Sequence, residues 1–243
     1  MKKYTLLPVI AIFLLSLVSG CDQDPEPVTV EKRAYVRFFN SFGDAAVNLR
    51  FRTYGETRFL TDRLMPRTSW PQGGYTSLLT RYTGEGPIEG LDSVYFDVEH
   101  YDADTLMIKD YRESLPEGSY STLYVVDSVG KLIMAKTSDQ FDRPTGNSSA
   151  YRFINLYPFY NSVGLESSNA ADSLDFSFNS LEFLGHSGFR EVPSGRRTLS
   201  AIRTQGQITV DSVSQVKLDA GGVYVFVLMD VNGIPVLDYE RIN

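Results

Sequence analysis

The sequence predicts an all-β protein with two tandem immunoglobulin-like β-sandwich domains, and three observations support this prediction. From Ala34 onward, apolar residues recur at every second position, which is the period of a half-buried strand. Tyrosine and phenylalanine, which favour strands, are each present fifteen times. Several short motifs occur twice, at a spacing that matches the size of one small β domain. No segment longer than about ten residues has the periodicity of a helix.

The first twenty residues have the pattern of a bacterial export signal. Lys2 and Lys3 precede an apolar stretch from Leu6 to Leu17, which is shorter than the roughly 20 residues of a membrane-spanning helix. An aliphatic residue and two small ones, Val18–Gly20, then lead into Cys21. This arrangement resembles the lipobox of bacterial lipoproteins, in which the cysteine is acylated before cleavage. We therefore expect Cys21 to be the first residue of the mature chain and to carry the lipid.

The segment after Cys21 reads as a short acidic tether. Cys21 is the only cysteine, so the acylated chain would have no disulfide, and its body must be held by an apolar core. Residues 22–33 are polar and include two prolines, as in an extended linker. The acidic residues Asp22, Asp24 and Glu26 resemble a signal that sends lipoproteins to the outer surface in some Gram-negative bacteria. We expect a lipid anchor in the outer membrane at the cell surface; the alternative is its periplasmic face.

The net charge excludes one class of partner. The chain carries −7, and loss of the first twenty residues removes two lysines and no acidic residue, which gives −9. Such a charge argues against binding to nucleic acid and against electrostatic adhesion to anionic lipids. The membrane is therefore expected as a partner through the N-terminal lipid alone.

Strands are predicted wherever apolar and polar residues alternate. Val47–Arg52 and Val94–Glu99 are the clearest cases. The segments Asp62–Met65 and Leu181–Leu184 could instead form single helical turns. The other strand candidates are Ser121–Val126, Leu132–Lys136, Ala150–Asn155, Leu174–Phe178, Thr198–Arg203, Ile208–Val210 and Val223–Met229.

Paired motifs indicate that one β domain occurs twice. Arg37–Asn40 (Arg-Phe-Phe-Asn) returns as Arg152–Asn155 (Arg-Phe-Ile-Asn). Asp127–Gly130 and Asp230–Gly233 each lie between apolar runs, as hairpin turns do. Two equivalent hairpins closing two equivalent segments predict two copies of one sandwich. The predicted organisation is a signal peptide (1–20), a lipidated tether (21–33), a first domain (34–138), a linker (139–149) and a second domain (150–243).

The second copy resembles a family of exported bacterial domains. Arg152–Asn155, the Tyr157–Asn161 loop, Phe189–Gly195 and Leu218–Val225 together are similar to domain-of-unknown-function family 4397. The first copy fits less well, since its segment from Trp70 to Glu99 is longer and divergent. The resemblance implies a β-sandwich fold and an exported, often lipid-anchored location. It implies no activity and no catalytic residue.

Little in the sequence points to catalysis or to a bound metal. His100, Asp102 and Asp104 could meet in one loop, but zinc needs three or four ligands, and acidic residues in turns are commonly just solvated. His186 precedes Ser187 in a glycine-flanked turn, and adjacent residues do not make a nucleophile–base pair. We predict no metal, no cofactor and no enzymatic activity. A hydrolase whose residues converge only in three dimensions is the alternative.

Loop aromatics are the better candidates for ligand contact. Trp70, the only tryptophan, lies in a Ser-Trp-Pro-Gln-Gly-Gly segment, and Tyr157, Phe159 and Tyr160 lie in a loop between strands. Aromatic rings on loops can stack on sugars or anchor a protein partner. The alternative is that the rings turn inward and cap the sandwich.

The triplet of Asp, then Ser or Thr, then an aliphatic residue occurs five times, where roughly one occurrence is expected by chance; short motifs of this kind also give false matches. The triplets resemble an acceptor motif for O-glycosylation in some Gram-negative bacteria. The alternative is that Asp-Ser forms the turn that precedes a strand. The five candidate hydroxyls belong to Ser93, Thr105, Ser128, Ser173 and Ser212.

Together these features predict a lipid-anchored surface protein that serves as a binding or scaffold module. Its partner would be a glycan, an adhesion partner or an outer-membrane protein complex. An inward-facing structural periplasmic lipoprotein is the alternative that keeps the anchor but not the surface location.

Overall fold

The structure, a computed structural model, describes residues 30–42, 45–53, 56–70, 75–82, 94–103, 105–169 and 174–243 of the 243-residue chain. The fold below is that of one compact unit, Lys32–Thr80 with Glu89–Asn243. A second unit, Met1–Glu31 with Arg81–Ile88, lies almost wholly outside the described residues, and Cys21 with the predicted signal peptide is part of it.

All regular secondary structure in the described residues is β-strand, and each predicted strand candidate falls inside an observed strand. No described helix is long and apolar enough to cross a membrane. The first nine strands are β1 Val30–Asn40, β2 Val47–Thr53, β3 Glu56–Leu64, β4 Thr68–Trp70, β5 Thr76–Tyr82, β6 Val94–His100, β7 Thr105–Glu113, β8 Tyr120–Asp127 and β9 Leu132–Ser138. The remaining eight are β10 Ser148–Leu156, β11 Val163–Asn169, β12 Leu174–Leu181, β13 Arg190–Pro193, β14 Gly195–Arg203, β15 Ile208–Leu218, β16 Val223–Val231 and β17 Ile234–Arg241.

The strands form two sandwiches with the same topology, which confirms the predicted fold class. In repeat 1 (β1–β9), the inner sheet has the order β4-β1-β8-β9, with β5 also paired to β1, and the outer sheet has the order β3-β2-β6-β7. In repeat 2 (β10–β17), the corresponding orders are β13-β10-β16-β17 and β12-β11-β14-β15. The first strand of each repeat runs parallel to the last strand but one, β1 to β8 and β10 to β16. The registers also agree. Arg37 on β1 lies opposite Thr122 on β8, and Arg152 on β10 lies opposite Val225 on β16, which is 103 residues after Thr122.

Each sandwich is held by an apolar core between its inner and outer sheets. In repeat 1 this core contains Phe38 from β1, Leu49 from β2 and Phe96 from β6, all fully buried. In repeat 2, Phe153 on β10 and Phe226 on β16 belong to the corresponding core, at the positions that Phe38 on β1 and Leu123 on β8 hold in repeat 1. Residues of one parity along each inner strand therefore face the partner sheet, as the pleat of a strand requires.

A third core joins the two repeats, because the inner sheets also bury their other faces. Phe39, Tyr124 and Val126 of repeat 1 belong to the same buried cluster as Ile154, Val225, Val227 and Met229 of repeat 2. The strands β8 and β16 are buried on both faces, and their sequences are correspondingly apolar at consecutive positions (Leu-Tyr-Val-Val and Val-Tyr-Val-Phe-Val-Leu-Met). The compact unit is thus a stack of four sheets, and the two inner sheets face each other.

Two buried arginines cross the interface between the repeats in opposite directions. Arg152 on β10 forms an ion pair with Asp139, which follows β9, and donates to the Thr137 hydroxyl at 2.6 Å. Arg37 on β1 lies 3.3 Å from a Glu240 carboxylate oxygen on β17. Each arginine therefore reaches the last strand, or its end, of the other repeat.

The asparagine of each repeated motif closes a turn inside its own repeat. The Asn155 amide donates to the Leu181 carbonyl at 3.1 Å, and its oxygen accepts from the Tyr157 amide at 3.1 Å. Asn40 makes the equivalent bonds to Leu64, at 3.0 Å, and from Phe42, at 3.0 Å. Both side chains are fully buried. The Arg-Phe-x-Asn motif is therefore a structural element of both repeats.

One local prediction is wrong, and another holds in part. Asp62–Leu64 is the end of β3 rather than a helical turn, because pairing with β2 in the outer sheet outweighs the short local pattern. Leu181 ends β12, and a hydrogen-bonded turn follows, in which the Gly185 amide donates to the Glu182 carbonyl at 2.8 Å. The predicted hairpin turns are present, and Asn232 and Gly233 have the positive φ angles, 55° and 82°, of a type I′ turn.

Candidate binding surface

Several loops meet at one end of the stack, which we call the far end: the end of the strands at which β1 finishes with Asn40. Because β1 and β8 run parallel, as do β10 and β16, the loops after all four strands lie at the corresponding ends of their repeats. The β8–β9 and β16–β17 turns both border the core shared by the repeats, since Val126 next to the first turn and Val231 next to the second pack in the same cluster. The far end thus combines loops from both repeats.

An aromatic cluster of Tyr157, Phe159 and Tyr160 occupies the β10–β11 loop at the far end. The Tyr157 ring lies 5.3 Å from that of Phe159 and 4.9 Å from that of Tyr160, measured between ring centroids. The Tyr157 hydroxyl donates to the Gly233 carbonyl at 3.3 Å, which joins this loop to the β16–β17 turn. The Arg203 guanidinium lies over the Tyr160 ring at 5.6 Å. These contacts fix the loop from three sides.

The three rings differ in exposure, and this decides which of them can touch a ligand. Tyr157 is 4% exposed, whereas Phe159 is 50% exposed and Tyr160 is partly exposed. Burial, together with Tyr160 and Asp230, raises the pKa of the Tyr157 hydroxyl, so this group stays neutral at physiological pH. Tyr157 is the support of the cluster, and Phe159 is its exposed ring.

The turn next to the cluster adds a second exposed apolar side chain. Ile234, which follows Gly233, is 63% exposed. Large apolar side chains exposed beside an arginine are the composition that protein interfaces use for their most tightly bound contacts. The surface formed by Phe159, Tyr160, Arg203 and Ile234 is therefore suited to a partner with an apolar patch.

Trp70 lies in repeat 1, whereas the aromatic cluster belongs to repeat 2. It is the last residue of β4, opposite Phe38 of β1, and its side chain lies outside the described residues. Its predicted role as a ligand contact stays a prediction.

Neither histidine is joined to a metal site or to a catalytic arrangement among the residues that the structure describes. His100 ends β6, and its Nδ1 accepts from the Ala103 amide at 3.3 Å, while Asp102 is exposed and Asp104 is not described. No described group of three or more such side chains could hold a metal ion. His186 is exposed, and the neighbouring Ser187 hydroxyl donates to the Gly188 carbonyl at 3.0 Å and accepts from the Phe153 amide at 2.9 Å. Ser187 therefore connects a loop to β10.

Three of the five predicted glycosylation hydroxyls are described. Thr105 is exposed at the start of β7, Ser128 lies in the β8–β9 turn, and Ser212 is exposed within β15. The Asp211 carboxylate beside Ser212 accepts from the Leu237 amide at 2.6 Å, so this motif joins β15 to β17 in mid-strand and does not open a strand from a turn. Ser93 and Ser173 lie outside the described residues.

Sequence reasoning missed a polar network between the repeats. Asp139 accepts from Arg152, from the Thr122 hydroxyl and, at 2.9 Å, from the Tyr75 hydroxyl. Burial and the Asp139 charge raise the pKa of Tyr75. An arginine between two apolar residues in a strand, as in Tyr151-Arg152-Phe153, was the signal that could have found it, because an arginine is buried only when it is paired.

No protein-family model and no curated protein matches this chain. Among solved structures, the chain is similar to the Bacillus anthracis TIE protein, at 7% identity and a TM-score of 0.25, over 82% of this chain and 34% of that one. It thus spans about a third of that protein's length. The tip fimbrial protein Mfa3 of Porphyromonas gingivalis, with a C-terminal truncation, gives 6% identity and a TM-score of 0.27, over 88% of this chain and 100% of that one. A candidate cell adhesion protein of Bacteroides uniformis gives 10% and 0.25, over 86% and 98%. At these TM-scores the similarity carries no argument about function, and the resemblance to family 4397 stays a prediction.

Proposed function

We propose that this chain is a lipid-anchored cell-surface binding module, which holds an extracellular protein partner on the far end of its two-sandwich stack. The observation that carries the proposal is the exposed Phe159 ring, which packs on buried Tyr157. The Tyr157 hydroxyl in turn bonds to the Gly233 carbonyl, next to exposed Ile234. Exposed apolar side chains on a rigid support bind with little loss of conformational entropy. Their arrangement favours a protein partner over a soluble ion or a nucleic acid.

The core shared by the repeats supports a role in which the protein holds its binding loops on a rigid body. The inner sheets bury Tyr124, Val227 and Met229 between them, so contacts beyond the 139–147 connection hold the repeats together. Such a body holds its far-end loops in a fixed arrangement. This property suits a scaffold for a larger surface complex.

The anchor and its location are tested together in cells. Cys21→Ser should move the protein from the membrane fraction to the soluble fraction, because the acyl chains provide the only predicted anchor. Protease added to intact cells should cleave the wild-type chain. A chain that resists cleavage until the outer membrane is opened would contradict the surface location and favour the periplasmic alternative.

The binding surface is tested by crosslinking on intact cells, followed by capture of the lipidated chain. Phe159→Ala combined with Ile234→Ala should lower the yield of the crosslinked partner at least about tenfold, as loss of central anchors does. Leu106→Ala is the matched control, since Leu106 is 44% exposed but lies on β7 of repeat 1. Equal yields from the double variant and the control would contradict the proposal.

A further inference from the structure

We propose that a second site, a groove where the two repeats meet at the end opposite the aromatic cluster, binds neutral sugar residues of a polysaccharide or glycan. The groove has a volume of about 780 Å³ and is lined by residues of both repeats and of the 139–147 connection. Tyr75 and Tyr120 come from repeat 1, Phe141 and Arg143 from the connection, and Asn243 from repeat 2. This inference rests on the proposed function for a surface location, but it uses different residues.

An exposed tyrosine forms the wall of the groove. Tyr120 is 40% exposed, and its ring stacks on that of Tyr35 at 4.5 Å with an interplanar angle of 9°. Tyr75 meets Tyr120 edge-to-face at 5.1 Å. Tyr35 thus covers one face of the Tyr120 ring and holds the ring in place before any ligand arrives, and the part that a ligand can touch is the exposed remainder that lines the groove. The C–H groups of a pyranose ring form an apolar face that packs on such a ring.

The wall is fixed by the buried network behind it. The Tyr75 hydroxyl donates to Asp139 at 2.9 Å, and Asp139 is paired with Arg152 inside the interface. This hydrogen bond ties the Tyr75 ring to the buried network. Phe141 packs on Phe189 at 5.0 Å, which fixes the opposite side of the connection. A site whose aromatic groups are ordered beforehand loses little entropy on binding.

The remaining lining provides hydrogen-bonding groups suited to hydroxyls. Gln140, Asp142 and Arg143 are exposed and follow one another along the connection. Amide, carboxylate and guanidinium groups are planar and can each hold two neighbouring hydroxyls. Asn243 serves the fold instead, since its side chain bonds to Val223 at 2.8 Å and to Gly221 at 2.7 Å.

The charges of the groove select the class of sugar. Within the described lining, Arg143 is the one cation and Asp142 the one acid besides Asp139, which Arg152 neutralises. An anionic ligand would meet no excess of positive charge there, and the chain as a whole is acidic. A purely apolar ligand would leave the polar groups of the connection unpaired. Neutral hexose units fit both the ring and the polar groups.

The test is calorimetric titration of the purified full chain with neutral hexasaccharides of glucose and mannose, with hexagalacturonate as the anionic probe. At least one neutral hexasaccharide should bind, and Tyr120→Ala should weaken it at least about tenfold, because the stacking face is lost. Tyr120→Phe, which keeps the ring, should bind within about threefold of the wild type, by the same argument. Melting temperatures of both variants show that the fold is retained.

The controls separate this site from the far-end surface. Phe159→Ala should leave sugar binding unchanged, and Tyr120→Ala should leave crosslinking to the protein partner unchanged. Absence of binding to every neutral probe, equal affinity of Tyr120→Ala and wild type, or tighter binding of hexagalacturonate would each overturn the inference. Failure of the proposed function would show as unchanged crosslinking by the Phe159→Ala, Ile234→Ala variant.

Discussion

Arg37 and Arg152 hold equivalent positions in the two repeats, and each extends across the shared interface to the last strand, or its end, of the other. Arg37 meets Glu240 at 3.3 Å, and Arg152 meets Asp139. The two pairs differ in burial: the carboxylate of Asp139 is fully buried, whereas the Glu240 side chain is 22% exposed. Two ion pairs therefore hold the interface: Arg152–Asp139 is buried, and Arg37–Glu240 is partly exposed to solvent.

Loss of the buried Arg152–Asp139 ion pair should cost much more stability than loss of a more exposed arginine. Arg152→Met leaves the Asp139 charge buried without its partner, so we expect a loss of about 3–5 kcal/mol in the free energy of unfolding. Denaturant unfolding measures the loss. Arg203→Met, at the rim of the aromatic cluster, is the matched control and should change stability by less than about 1 kcal/mol. A loss below about 1 kcal/mol for Arg152→Met would show that the pair does not hold the repeats together.

Substitution of each buried asparagine, Asn40 or Asn155, should show which of them supports partner binding as well as stability. Asn155→Ala breaks the bonds to Leu181 and from Tyr157, and leaves buried backbone groups unpaired, at a cost of about 1–3 kcal/mol. Asn40→Ala should cost a similar amount, because its bonds are equivalent. Only Asn155→Ala should also weaken partner crosslinking, since Tyr157 supports the Phe159 ring. Equal crosslinking by both variants would contradict the role given to the β10–β11 loop.

Asp230 should make the protein less stable as the pH rises through the acidic range. Burial and the Asp127 charge raise its pKa, although a hydrogen bond from the Gly233 backbone partly opposes them. In the window above the ordinary carboxyl pKa, the folded state therefore keeps a proton that the unfolded state has released. Stability falls across that window, and the deficit persists at higher pH.

Asp230→Asn removes this deficit and should raise the melting temperature at pH 7, while at about pH 3, where both states are protonated, it should have almost no effect. Asp127→Asn should give part of the same gain, because it removes the neighbouring charge and leaves Asp230 in place. Melting curves over the acidic range provide the measurement. A lower melting temperature of Asp230→Asn at pH 7 would contradict the sign of the effect.

The exposed Asp-Ser/Thr motifs predict an intact mass above that of polypeptide plus lipid. Thr105 and Ser212 are exposed on strands, so a glycan there would meet no packed neighbour. Thr105→Ala and Ser212→Ala should each remove one glycan mass and change stability by less than about 0.5 kcal/mol, as at other surface positions. Mass spectrometry of the chain from its native membrane measures both. A wild-type mass equal to polypeptide plus lipid would remove the glycosylation hypothesis.

The sequence predicts the strands well because their signal is local. Alternation in Val47–Arg52 and the Asn232–Gly233 turn each depend on a few neighbouring residues. The helical turn considered for Asp62–Met65 is absent, because residues up to Leu64 pair with β2, a contact that the local pattern does not show. Local patterns therefore locate the strands, and pairing partners decide the ambiguous ends.

The interface and the groove could not be predicted in the same way, since both depend on pairs far apart in the chain. Arg37 and Glu240 are 203 positions apart, and no local pattern connects them. For the aromatic cluster, the sequence located the loop but did not separate buried Tyr157 from exposed Phe159, because that difference arises from the contact with the β16–β17 turn.

The face-to-face packing of the two inner sheets has the geometry of an isologous dimer placed within one polypeptide. In a true homodimer, every substitution at the interface appears twice, once on each side of the symmetry axis. Here the two sides are encoded separately. Thr137 of repeat 1 and Glu240 of repeat 2 hold equivalent positions, 103 residues apart in the chain, and they already differ. Covalent linkage also keeps the halves at a high effective concentration, so the contact does not depend on protein abundance. Each side of the interface can therefore change without the same change appearing on the other side.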